Sequence, residues 1–466
     1  MRKNFPYDTE DLWNKDRRYV LHPWQPLETG REEGAMIIAE AEGIYVYDSD
    51  GNKFIDGPGG MWCVQIGYGR DEIADAVADQ IRTMPYYSPF TYFGTPPAAN
   101  LAAKLAELTP GDLNNVFLST SGSEANDTAI RFVQFFNNML DRPEKKHVIT
   151  RDDAYHGSTY LAASLCGKEG DKYKMDVITD WVHHISSPNP YRRPDGQSVE
   201  DFRDARVKEL EDKILEVGPH KVAAFIAEPV MASGGMMVPP PGYHKMTLEV
   251  CRKYDVIYIS DEVVTGFGRL GHFFASEAVF DIVPDIITCA KGLTSGYLPL
   301  AATIISDRLL DQVSGKNAED VFFANGFTYS GHPVCCVAAL KNIEIMEREK
   351  ICEYVREVGP YFHAKLEELR DLPVVGDVRG SHLLGCVEAV MNKETRESFP
   401  AETKVGKRID VHCQERGLIL RPFGSLCMFS PPLIITRAQI DTMVGIMRDS
   451  IVATMADLKS EGLWDG

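Results

Sequence analysis

The chain has 466 residues, of which 44% are hydrophobic and 25% charged. That is the make-up of a globular protein with a large core and not of a disordered one. Its formal net charge of −19 repels a phosphate backbone, so nucleic acid is not an expected partner, and a small anion must find a locally positive pocket.

Residues 1–24 carry charges throughout and read as no secretory leader. No run reaches the roughly 18 apolar residues of a membrane span, so no membrane partner is expected. Ten cysteines form neither a CxxC pair nor a zinc spacing. Reduced thiols in a cytoplasm and no metal site are the simplest reading.

Residues 44–56 alternate around the turn Asp48-Ser49-Asp50-Gly51 and predict a hairpin. Helical spacing covers 71–84 and 97–108. Short apolar strands then alternate with helices: 115–119, followed by a helix to about 140, then 147–150, 223–227, 256–260, 285–289 and 300–305. Continuous apolar runs point to strands buried on both faces, hence an α/β fold with a mostly parallel sheet covered by helices. Beyond residue 336 the pattern changes to helices at 337–348 and 352–370, short strands at 383–388 and 418–421, and a last helix at 438–458. We expect an N-terminal segment (1–60) whose hairpin joins a smaller α/β domain (336–466), and a large domain between them (61–335).

Ligands of a parallel α/β sheet gather at the carboxyl ends of its strands. Four such ends carry Ser121-Gly122-Ser123, Tyr155-His156-Gly157, Glu228 and Asp261, and a fifth carries Lys291. The serine–glycine turn opening a helix is suited to an anion, although a plain serine N-cap has the same local pattern. A desolvated lysine amine can attack an aldehyde, although a lysine at a strand end often only reaches solvent. Asp261 is suited to a protonated pyridine nitrogen or to capping a loop. Tyr155 is suited to a flat ring face or to core packing. A structural explanation shared by all four groups is improbable.

These residues carry a resemblance. The segments Ser121-Gly122-Ser123-Glu124-Ala125-Asn126, Tyr155-His156-Gly157-Ser158-Thr159, Glu228-Pro229-Val230, Ser260 to Arg269, Ala290-Lys291-Gly292 and Thr328 to Pro333 follow, in order, the motifs of the class III aminotransferases. These are fold-type-I enzymes that use pyridoxal 5'-phosphate, and the resemblance runs from about residue 43 to 436. It implies that Lys291 holds the cofactor through its amine and moves the proton, and that Asp261 binds the pyridine nitrogen. Val263 and Tyr155 would pack on the two ring faces, with His156 beside them. Ser121, Gly122 and Ser123 would hold the phosphate, Thr328 would reach the phosphate of a neighbouring subunit, and Glu228 would sit near the phenolic oxygen.

Within the family the chain resembles the omega-amino-acid and amine:pyruvate group. That implies a pocket wall from Trp62, aromatic lining from Phe90 and Tyr92, and a mobile Arg421 that pairs with a 2-oxo-acid carboxylate. The expected activity is ping-pong transfer from a primary amine or omega-amino acid to a 2-oxo acid, pyruvate first, in a homodimer or dimer of dimers with shared active sites. Met231-Ala232 stand where the ornithine and 4-aminobutyrate branches usually carry Gln-Gly, which sets the chain apart from those branches and from the role they give the residue matching Glu228. Alternatives are a diaminobutyrate-like donor with 2-oxoglutarate, another pyridoxal-phosphate reaction (aminomutase, racemase, decarboxylase), or a non-catalytic cofactor-binding regulator.

Overall fold

The apolar runs form the middle of one seven-stranded sheet. The computed structural model describes residues 5–315 and 321–465; positions 1–4 and 466, at the outer ends of the expected terminal segments, lie outside them. In space the strands follow the order Leu113–Ser119, Ala301–Ser306, Ile286–Cys289, Ile257–Asp261, Val222–Ala227, His147–Arg151 and Val182–Ile185. Every residue of the four strands from Ala301–Ser306 to Val222–Ala227 is buried, as a sheet covered by helices on both faces requires.

Five of these strands pair in parallel. Ala301–Ser306 runs against both neighbours, so Leu113–Ser119 beyond it again points with the majority. Six strands therefore deliver their carboxyl ends to one edge. The edge strand Val182–Ile185 (Val-His-His-Ile) was not anticipated; its two central histidines are half-buried, which hides the apolar pattern.

Two smaller four-stranded sheets complete the fold. In the first, Ile38–Glu42 and the expected hairpin, Tyr45–Asp48 with Lys53–Asp56, are joined in parallel by Leu418–Ile419. The hairpin turn is held by Asp48 Oδ1, which accepts from the N–H groups of Asp50 (3.0 Å) and Asn52 (2.8 Å). The second contains Val375–Ser381, Leu384–Ala389, Leu426–Phe429 and Arg421–Phe423. The expected single strand over 418–421 is thus divided between two sheets. The break falls at Leu420, whose N–H leaves the ladders and donates to Asp410 Oδ1 at 2.9 Å.

The helices fall close to expectation. Asp71–Thr83, Pro96–Leu108 and Pro333–Arg348 pack together beside the Leu113–Ser119 edge. Ile351–Glu367 ends in the tighter turn Glu368–Asp371 instead of running to 370 as one helix. The last helix, Arg437–Ser460, opens with a reciprocal capping box between Thr436 and Gln439, which satisfies two otherwise orphaned N–H groups.

Candidate active site

Lys291 lies two residues beyond the strand Ile286–Cys289 with φ of 47°. This left-handed conformation costs a residue with a side chain about 1–2 kcal/mol, so packing must impose it. Gly292 shows how closely the turn is packed: a Cβ there would lie 2.2 Å from Gln65 Nε2. The Lys291 amine stands 5.1 Å from the centre of the Trp62 ring. It forms no ion pair among the described residues. Burial holds its pKa below the ordinary lysine value, against the pull of Asp261, Cys63 and Glu228.

Asp261 ends the strand Ile257–Asp261, and its carboxylate is fixed on three sides. Oδ2 accepts from Asn126 Nδ2 at 2.8 Å and from His156 Nδ1 at 2.7 Å, and Oδ1 accepts from the N–H of Val263 at 3.1 Å. Each donor is itself held. Asn126 Oδ1 accepts from Thr288 Oγ1 at 2.8 Å, and His156 Nε2 lies 3.2 Å from Thr150 Oγ1. A carboxylate has about four acceptor positions, so one remains on Oδ1.

Ser121, Gly122 and Ser123 behave differently from one another. Ser121 Oγ accepts from the N–H of Glu124 at 3.2 Å, the plain N-cap of the helix Gly122–Met139, and Ser121 does not border the cavity. The Glu124 carboxylate turns back to the N–H and hydroxyl of Thr120. The N–H groups of Gly122 and Ser123 donate to nothing among the described residues, and both residues border the cavity. Ser123 Oγ accepts from the N–H of Ser158 at 3.0 Å. A Cβ on Gly157 would stand 2.4 Å from that oxygen, so only glycine lets the two loops meet.

The walls come from several elements. Lys291, Asp261, Val263, Tyr155, His156, Glu228, Trp62 and Arg421 share one cavity of about 190 Å³. Both Glu228 carboxylate oxygens are taken by backbone, Oε1 by the N–H of Tyr155 (3.1 Å) and Oε2 by that of Ala232 (3.2 Å). Burial raises its pKa above the usual carboxylate range. The Arg421 guanidinium lies 5.4 Å from the Phe423 ring and pairs with no carboxylate among the described residues. Arg421 Nε and Trp62 Nε1 are buried donors without acceptors. Such groups carry a desolvation penalty unless a ligand supplies the missing acceptor.

Three expected residues stand elsewhere. Phe90 and Tyr92 are 46% and 96% exposed and do not border this cavity, so within one chain they do not line the pocket as expected. Thr328 is also exposed, its carbonyl accepting from Tyr86 Oη at 2.8 Å. Conversely, Trp24, Asn126, Asp171, Ser233 and Phe423 border the cavity without having been anticipated. Phe423 was within reach of the pattern, since it follows Arg421 by two in a strand and shares its face. Trp24, at φ of 63°, meets Tyr155 edge-on at 6.0 Å through a tertiary approach with no local signature.

The arrangement fits pyridoxal phosphate on the chain's own features. Two free N–H groups at a helix start suit its phosphate. The open position on Asp261 Oδ1 suits its ring N–H, Val263 and Tyr155 suit its faces, and an unpaired buried amine suits its aldehyde.

Comparison with known proteins agrees. The family model for class III aminotransferases matches residues 28–451. A putrescine–pyruvate aminotransferase from Pseudomonas aeruginosa is 42% identical over 94% of this chain and 95% of its own. A mitochondrial gamma-aminobutyrate transaminase from Oryza sativa subsp. japonica is 38% identical, over 91% and 83%. Among solved structures, an omega transaminase from Pseudomonas jessenii in complex with PMP superposes with a TM-score of 0.94 at 37% identity, covering 96% of this chain and 99% of that one. A thermostable (S)-enantioselective omega-transaminase from Thermomicrobium roseum does so at 0.92, also at 37% identity, covering 97% and 99%.

Proposed function

This chain belongs to the class III aminotransferases, and we propose that within the family it takes the amino group of a primary amine or omega-amino acid and passes it to pyruvate. It is a pyridoxal-phosphate-dependent transaminase of fold type I that uses a 2-oxo acid as acceptor. The choice of pyruvate is supported by the relative whose name pairs putrescine with pyruvate.

The observation that carries the reading is the presence in one cavity of an unpaired buried amine, Lys291, and an unpaired guanidinium, Arg421. When bound, pyridoxal phosphate supplies an aldehyde that receives the amine and a ring that takes up the electrons of a broken C–H bond. The chain supplies the rest. Lys291 Nζ, held below its ordinary pKa by burial, carries a larger neutral fraction, accepts the proton from the substrate carbon and returns it. Asp261 would accept from the N–H of the ring nitrogen, and Asn126 and His156 keep Asp261 in place. The N–H groups of Gly122 and Ser123 would hold the phosphate. Trp62 and Tyr155 keep water from the reacting carbon. Arg421 offers a planar pair of donors to the acceptor's carboxylate and, having no fixed partner, turns aside for a donor without one.

We also propose a homodimer with shared active sites. Phe90, Tyr92, Phe322 and Tyr329 are exposed; Tyr329 adjoins Thr328 and Phe90 lies against Gly326, two residues before it, so this region offers aromatic surface suited to a second copy. Cytoplasmic placement is supported by ten unpaired cysteines, all but Cys63 buried.

A panel of primary amines and omega-amino acids, each assayed with pyruvate and with 2-oxoglutarate, tests the proposal. Pyruvate is expected to be the better acceptor with most donors. A consistent preference for 2-oxoglutarate overturns that choice.

A further inference from the structure

We propose that Asp171 is a specificity residue that receives the distal ammonium of a diamine donor. The inference rests on the amine-donor reading above and adds which amines the site favours.

Three carboxylates border the cavity: Asp171, Glu228 and Asp261. Two are committed. Asp261 is held by Asn126, His156 and the N–H of Val263, and Glu228 by the N–H groups of Tyr155 and Ala232. Asp171 sits in the short helix Glu169–Lys172, and its side chain makes no hydrogen bond or ion pair among the described residues. Only its backbone N–H is engaged, by the carbonyl of Lys168 at 3.1 Å. The neighbouring cation, Lys168, acts on Asp171 through space but spends its hydrogen bonds elsewhere. Its amine donates to the carbonyl and to the hydroxyl of Ser233 (2.7 Å for the latter) and lies 4.9 Å from the Phe423 ring centre.

Position matters as much as freedom. Asp171 borders both the inner cavity and a wider outer one, sharing this with Trp24, Tyr155 and Gly157. It therefore stands at the throat between them. A donor whose reacting amine is at Lys291 extends its other end towards that throat. If that end is a carboxylate, Arg421 is suited to it. If it is an ammonium, Arg421 repels it and Asp171 attracts it. The two charged groups form no ion pair with each other among the described residues, so neither cancels the other. In a half-enclosed site a charge-assisted contact of this kind is worth about tenfold or more in affinity.

The test compares 1,4-diaminobutane with n-pentylamine, a chain of the same length lacking the second charge, each with pyruvate and purified holoenzyme. In Asp171→Asn and in Asp171→Ala, kcat/KM for the diamine is expected to fall about tenfold more than for pentylamine, mostly through KM. A series of diamines from three to six carbons should lose its length preference in both variants. Equal losses for the two donors overturn the role of Asp171 and leave the amine-donor reading intact. A wild-type enzyme that takes omega-amino acids but neither of these amines overturns the role of Asp171, and one that takes no amine and no omega-amino acid overturns the donor reading itself.

Discussion

His156 Nδ1 donates to Asp261 Oδ2 across 2.7 Å, with both side chains almost fully buried. A carboxylate in such a place has lost its water, and protein donors must take that water's place. His156→Ala leaves Asn126 and one backbone N–H to do this. Losing a hydrogen bond to a charged group costs about 1.5–3 kcal/mol, so cofactor affinity and turnover should each fall roughly tenfold or more. Titration of the cofactor-free protein with pyridoxal phosphate, followed by fluorescence, reads the first directly. Unchanged affinity and turnover would show that His156 only fills space.

Among the described residues Lys291 is the one lysine that borders the cavity, and Lys291→Ala removes its amine. Turnover should drop by at least roughly 10⁴-fold, the upper range for a positioned acid–base group. Borohydride should no longer fix the cofactor to the protein, as mass spectrometry of the denatured chain would reveal. A variant that still traps cofactor covalently would move that role to another lysine.

Arg421→Ala separates acceptor from donor. Without the bidentate pairing to its carboxylate, KM for pyruvate should rise about ten- to a hundredfold, that is by about 1.4–2.8 kcal/mol, with a smaller effect on amines lacking a carboxylate. If pyruvate and such amines suffer alike, Arg421 shapes the pocket and does not switch between substrates.

The parts of this design that were legible in the sequence are those that local pattern records. Val222–Ala227 and Ile257–Asp261 are buried on both faces and therefore read as unbroken apolar runs. Once the strands are parallel, Glu228, Asp261 and Lys291 must meet at one edge. Val375–Ser381 was invisible because two glycines, an aspartate and an arginine mask its alternation. Phe90 and Tyr92 look like pocket walls because aromatic residues fill pockets and subunit surfaces alike, and nothing local says which. Trp24 and Asp171 arrive at the throat by tertiary approach, and no periodicity encodes that.

Asp410 ties stability to the strand that carries Arg421. Its Oδ1 accepts from the N–H of Leu420 at 2.9 Å and its Oδ2 from Gln414 Nε2 at 2.7 Å. Burial outweighs these donors and pushes its pKa up to about 6. Below about pH 4 the group is protonated whether the chain is folded or not. Between there and pH 6 the unfolded chain gives up the proton and the folded one keeps it, so this residue's contribution to stability falls as pH rises. Above pH 6 both forms are ionised and the loss is constant, about 2–3 kcal/mol at roughly 1.4 kcal/mol per pH unit. Asn at this position still accepts from Leu420 and does not titrate. Asp410→Asn should therefore gain on the wild type as pH rises from 4 to 6 and hold that gain to pH 8, read as urea midpoints at each pH. Parallel curves for the two proteins would mean that Asp410 is ionised in the folded chain throughout, with Leu420 and Gln414 outweighing its burial.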